Sequence, residues 1–255
     1  MKHYPSFEQF QSLANEGKLV PVYRTLLSDT LTAVSAYHRC GWTGPSFLFE
    51  SVVGGEKVGR FSFLGGDPFL RIDAFGNRIV LTEHGQVTER EVADPLVELQ
   101  SLVNDHPAIH LPGLPRFCGG AVGYAGYDVI RYTENLPNSP EDDRHLPDLS
   151  FAFYDRMVIF DNIQKTIMVV AHARTDTGNH LAEYELACAR VDELCWRLQH
   201  AEDDLEPCDI EFDRRQPPQK SWKSNFTQPE FEQAVSSCQE YIRAGTSFKW
   251  FCHNG

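Results

Sequence analysis

Apolar and polar positions along this chain change period several times, and each change marks an element. After Ser6, the residues Phe7, Phe10, Leu13 and Ala14 share one helical face. Ser6 and Gln9 form a capping box at its start, and Gly17 is placed to end it. Leu19 to Leu27 is apolar and β-branched, which predicts a strand, and a second short helix is predicted from Thr32 to Cys40, stopped by Gly41. Turn residues then punctuate a series of strand-like runs. Residues 46–53 and 58–64 read as a hairpin about Gly54-Gly55. The runs 69–75, 78–83 and 86–91 continue it as an antiparallel meander, with turns at Gly76-Asn77 and His84-Gly85.

The period lengthens again at Asp94-Pro95, an N-cap followed by a first-turn proline, with Leu96, Leu99, Leu102 and Val103 as the helical stripe. The run 117–124 carries Gly119, Gly120 and Gly123, which predicts a strand whose backbone something approaches closely. Residues 127–132 turn helical. Residues 151–160 and 166–173 read as two strands of a hairpin around Asp161-Asn162. Leu181, Tyr184, Cys188, Val191, Cys195 and Leu198 step by three and four residues along a long helix. Residues 200–225 are charged and contain Pro207, Pro217 and Pro218, the composition of a linker. A sharp helix start follows: Thr227 and Glu230 make a capping box, Phe226 and Phe231 a hydrophobic staple, and Phe231, Val235, Cys238 and Ile242 one face, ended by Gly245.

Composition narrows the function classes. The 255 residues are 42% hydrophobic and 23% charged, the proportions of a folded globular protein. Asp plus Glu outnumber Lys plus Arg by 36 to 23, a net charge of -13 that repels phosphate backbones and anionic membranes. Neither a nucleic-acid nor a membrane partner is expected. No apolar run has the length of a membrane span, and no signal peptide follows Met1. Seven irregularly spaced cysteines read as reduced thiols in a cytoplasmic protein.

Catalytic patterns fail one after another. The run from Gly119 to Gly126 satisfies neither the dinucleotide fingerprint nor the P-loop pattern. There is no C-x-x-C, no H-E-x-x-H and no G-x-S-x-G, so neither a metal site nor a catalytic constellation is assigned. Cys188 and Cys195 lie on a core stripe and serve as small apolar fillers. His172 ends a strand and has the chemistry of a base, without a visible partner. The acidic pairs Asp142-Asp143 and Asp203-Asp204 fall in polar loops.

Glu50-Ser51 stands apart, closing the apolar run Phe47-Leu48-Phe49 before a Gly-Gly turn. Its carboxylate and hydroxyl, with Arg60 across the hairpin, have the groups to recognise a small zwitterion. The plainer alternative is a polar strand end with an exposed ion pair.

Two long segments carry a resemblance. Residues 48–65, LFESVVGGEKVGRFSFLG, resemble the "LLES…GRYSFIG" segment of anthranilate synthase component I, and residues 117–132, FCGGAVGYAGYDVIRY, are similar to that family's "GGxxGYxGYDxxRxxE" segment. The resemblance runs over about residues 4–245. It implies an α+β fold of antiparallel sheets packed face to face with helices outside, incomplete in this chain. It also implies an N-terminal domain at 1–200, a linker at 201–225, the first helix of a chorismate-binding domain at 226–245 and a divergent tail at 246–255. The family converts chorismate to anthranilate in tryptophan biosynthesis, with ammonia from a glutaminase subunit. By this resemblance Glu50 and Ser51 fall where L-tryptophan binds as feedback inhibitor. The expected match after Gly245 is lost, which suggests a truncation ahead of the catalytic residues and the Mg²⁺ ligands. The chain is therefore expected to be a regulatory portion, inactive by itself and without a cofactor. The related aminodeoxychorismate synthase and a non-catalytic amino-acid-binding module are the alternatives.

Overall fold

The computed structural model describes residues 2–16, 18–50, 59–137, 141–202, 205–206, 209 and 224–245. Two compact units divide at Leu205 and Glu206.

In the first unit the elements run α1 (Phe7–Leu13), β1 (Leu19–Leu27), α2 (Ala33–Cys40), β2 (Ser46–Phe49), β3 (Phe61–Gly66), β4 (Leu70–Phe75), β5 (Arg78–Glu83), β6 (Gln86–Glu91), α3 (Pro95–Asp105), β7 (Gly120–Ala125), a 3₁₀ helix (Tyr127–Tyr132), β8 (Leu149–Tyr154), β9 (Arg156–Asp161), β10 (Thr166–Arg174) and α4 (His180–His200). Two five-stranded sheets result, ordered β1-β10-β9-β3-β2 and β6-β5-β4-β8-β7, with antiparallel pairing throughout.

Strand alternation builds the layers. On β9 and β10, Val158, Phe160, Ile167, Val169 and Ala171 face outward and are covered by Ala187, Val191, Leu194, Cys195 and Leu198 of α4. Their neighbours Met157, Ile159, Met168 and Val170 face inward, meeting Ala152 and Tyr154 of β8. Leu70, Ile72, Ile79, Leu149 and Phe153 line the far face of the second sheet, under Leu96, Leu99 and Leu102 of α3. The α+β architecture of packed antiparallel sheets with helices outside is thus observed, and burial on both faces explains the apolar runs Met157–Phe160 of β9 and Ile167–Ala171 of β10.

Local signals are obeyed at the helix ends. Ser6, Thr32 and Asp94 are side-chain caps, and Gly41 closes α2 in the left-handed region. In the second unit α5 (Gln228–Arg243) starts at the Thr227–Glu230 capping box, and the Phe226 and Phe231 rings lie 6.2 Å apart as a staple.

Three expectations are corrected. Residues 151–160 are not one strand. The chain leaves the second sheet at Tyr154 and enters the first at Arg156. Asp155 fixes the crossing: its carbonyl accepts the His172 backbone N–H at 2.8 Å, and its carboxylate takes Arg190 of α4 at 2.8 Å. The run 46–91 is likewise divided, β2 and β3 pairing in one sheet and β4 to β6 forming the meander of the other. The corner between them is Gly65-Gly66, where a Cβ would overlap the Phe47 ring and the Trp42 indole respectively. Finally, β3 begins at Phe61 rather than at 58. The Gly54-Gly55 turn lies outside the described residues.

Candidate functional site

One side of the sandwich opens into a groove of about 450 Å³. Its walls are Phe49, Phe61 and Phe63 from β2 and β3, Phe117, the Ala121–Gly123 backbone of β7 and Phe151 of β8; Glu50 stands at its mouth. Phe49 and Glu50 are exposed and the other rings half-buried. Phe63 meets Phe117 edge-on at 5.4 Å, and Phe47 links Phe49 to Tyr154 beneath. Among the described lining residues Glu50 carries the only charge. Such a surface suits a flat apolar body bearing one cationic group.

Arg60 takes a different role from the one expected. Its Nε and Nη2 both donate to Asp161 Oδ2, at 3.0 and 2.6 Å, and its guanidinium lies 4.8 Å above the Phe61 ring. Asp161 is nearly fully buried at the β9–β10 turn. Burial alone would raise its pKa, but the hydrogen bonds from Arg60 and from the Gln164 and Ile163 amides win and hold it below the ordinary 3.8. Asn162 adds a donor to Ser62 Oγ at 3.2 Å. The pair is a clamp that seats the start of β3 against this turn, the ion-pair alternative rather than a zwitterion clasp.

Of the two expected ligand residues, the structure places Glu50 at the groove mouth, while Ser51 lies outside the described residues. The phenylalanine walls were not singled out from the sequence. They come from four separated stretches, and the only local hint is the i, i+2 spacing of Phe61 and Phe63, which puts both on one strand face.

A second polar cluster lies between the sheets. His172 is buried; its Nδ1 donates to the Asp155 carbonyl at 3.3 Å, and its Nε2 is 4.0 Å from Cys118 Sγ. Burial pushes the Cys118 thiol up to about 11 and lowers the His172 pKa below 6.5, despite the hydrogen bond to Asp155. At pH 7 Cys118 is therefore a thiol, the wrong state for a nucleophile, and His172 is a neutral imidazole whose Nδ1–H is taken by the Asp155 carbonyl. Cys195 of α4 is raised by burial to about 11, in keeping with its filler role. Among the described residues no three His, Cys, Asp or Glu side chains converge to hold a metal ion.

The family model described as chorismate binding enzyme matches residues 45–252. The chain belongs to the chorismate-binding enzymes. Among curated relatives it is 36% identical over 260 residues to anthranilate synthase alpha subunit 2, chloroplastic, of Arabidopsis thaliana, covering 95% of this chain and 42% of that protein. It is 31% identical over 247 residues to anthranilate synthase component 1 of Acetivibrio thermocellus, covering 96% and 50% respectively. The crystal structure of anthranilate synthase component I from Streptococcus pneumoniae TIGR4 superposes with a TM-score of 0.52 at 28% identity, over 86% of this chain and 45% of that one. The protein is thus anthranilate synthase component I-like, and it spans about half the length of the curated relatives it matches. The family match starts at residue 45, well before the helix at 226 where the resemblance alone put the first chorismate-binding element. No helix among the described residues is long and apolar enough to cross a membrane.

Proposed function

We propose that this chain is the tryptophan-responsive portion of an anthranilate synthase component I, an enzyme that takes chorismate to anthranilate in tryptophan biosynthesis. L-Tryptophan sits in the groove between the sheets, its indole among Phe61, Phe63 and Phe117 and its ammonium toward Glu50. Ser51 supplies a further polar contact. The observation that supports this reading is the single carboxylate at the mouth of a phenylalanine-lined groove of about 450 Å³, within the size range of small-molecule sites. The chain acts as a regulatory part, does not turn over chorismate by itself, and works with a glutaminase subunit.

Calorimetry on the 255-residue chain tests this. Saturable binding of L-tryptophan is expected. Glu50→Gln should weaken L-tryptophan and tryptamine about tenfold, the scale of a charge-assisted hydrogen bond, and leave indole-3-propionate nearly unchanged. Phe63→Ala should weaken all three. No binding at millimolar L-tryptophan, or turnover of chorismate with ammonia by the purified chain, would refute the reading.

A further inference from the structure

Apart from the phenylalanine groove, a smaller cavity of about 230 Å³ lies beside the end of α3. Its floor is Phe153, Tyr154 and His172, all nearly fully buried. Phe69 and His106 form one wall, the His106 ring lying 5.3 Å from Phe69 and 5.9 Å from Phe153. The rim, at Val103, Pro107, Ala108 and Gly120, is exposed.

Space is left here because the chain entering β7 carries no side chain at Gly119 or Gly120. At Gly119 the His172 ring forbids one, and Gly120 has a φ of 125°, where an L side chain is strained. Ala108 and Ala121 keep two further sides of the cavity small.

The chemistry of the lining is narrow. Among the described residues lining the cavity there is no Asp, Glu, Lys or Arg, and the side-chain nitrogens are those of His106 and His172. In each ring Nδ1 faces a backbone carbonyl, that of Leu102 at 2.8 Å and that of Asp155 at 3.3 Å. A carbonyl only accepts, so the hydrogen of the neutral ring sits on Nδ1 and Nε2 keeps its lone pair. The Nε2 of His172 meets the Cys118 thiol at 4.0 Å, and a thiol is a weak donor.

We infer that this cavity binds a neutral, single-ring aromatic molecule that donates one hydrogen bond, through O–H or N–H, to an imidazole Nε2. Phe69, Phe153 and Tyr154 supply the aromatic surface. The volume is smaller than that of a drug-sized site, which limits the occupant to one ring. A carboxylate or an ammonium would be desolvated there without a counter-charge, which excludes amino acids and organic acids. The cavity therefore differs in chemistry from the groove that carries Glu50, although Ala121 lines both. The inference does not rest on tryptophan binding in that groove.

Phenol tests this against fluorobenzene, a ring of nearly the same size without a donor. At pH 8, calorimetry on the 255-residue chain should show one phenol bound per chain at millimolar concentration. Fluorobenzene should bind about fivefold more weakly, the scale of one net hydrogen bond. The amide NMR signals of residues 106, 108, 119 and 120 should shift with phenol, and those of 61–63 should not. Ala108→Trp closes the exposed rim and should weaken phenol about tenfold or more, while Phe63→Ala in the groove should leave it unchanged. His106→Phe or His172→Phe should abolish the preference for phenol over fluorobenzene. Thermal unfolding of each variant separates loss of binding from loss of fold, and the NMR shifts of the natural chain need no variant. The inference is overturned if phenol does not saturate at millimolar concentration, if fluorobenzene binds equally well, or if the shifts fall on residues 61–63 instead.

Discussion

The imidazole of His172 occupies the space where a side chain on Gly119 would stand, with its Nδ1 only 2.9 Å from the position of the absent Cβ. This contact explains a glycine in a segment with no phosphate-binding pattern: β10 presents a buried ring, and the chain entering β7 passes directly over it. Gly119→Ala should destabilise the fold by about 1–3 kcal/mol, the usual cost of overpacking a filled core. Urea denaturation would read this as a lower midpoint at unchanged slope. Because the overlap is with the ring, His172→Ala in the same chain should recover part of the loss; strictly additive effects would show that the two positions do not interact.

The same histidine sets an acid limit. Burial holds its folded pKa below 6.5, so the unfolded chain binds the extra proton first. Its stabilising contribution is complete above about pH 6.5 and is lost as pH falls below that value, by up to about 1.4 kcal/mol per pH unit. Denaturation midpoints measured from pH 7.5 to 5 should fall more steeply for the natural chain than for His172→Gln. Parallel curves would exclude His172 as the group responsible.

Asp161 titrates in the opposite sense. Its pKa is held below 3.8, so its contribution is present above that value and disappears as pH falls further. Asp161→Ala leaves Arg60 without this carboxylate and the Ile163 and Gln164 amides without their acceptor. A loss of about 3 kcal/mol is expected, the cost of breaking a hydrogen-bonded pair with a buried partner. Asp161→Asn keeps one acceptor oxygen and should lose about half as much. Equal losses in the two variants would mean that the hydrogen bonds contribute nothing.

Thiol reactivity gives a fourth check. Burial raises Cys40 to about 12, against a weaker opposing pull from Arg197, and Cys118 to about 11. Neither forms appreciable thiolate at neutral pH. Iodoacetamide at pH 7.5 should leave both unmodified in the folded chain and alkylate both in 6 M guanidinium. Mass spectrometry of tryptic peptides reads the outcome, and fast labelling of Cys118 in the native state would contradict its seat between the sheets.

Local chemistry was legible in the sequence wherever the deciding interaction is itself local. The caps at Ser6, Asp94 and Thr227, the glycine stop at Gly41 and the hairpin turns at Gly76-Asn77 and His84-Gly85 involve residues within four positions of each other. The close approach at Gly119 and Gly123 was also legible, though not what approaches: the His172 ring in one case and the β8 backbone in the other. Glu50 was singled out as chemistry at a strand end, but the phenylalanine walls that make its surroundings a groove were not.

Periodicity by itself determined that this chain forms antiparallel strands with helices laid against them, because a strand buried on both faces and a helix with one apolar stripe differ in spacing alone. Only the tertiary structure decided which sheet each strand joins. Residues 151–160 read as one strand, yet Asp155 divides them between two sheets, since its partners Arg190 and His172 come from elements that follow it in the chain. Only the tertiary structure, too, paired Arg60 with Asp161, because that partner is a buried carboxylate 101 residues away in the chain.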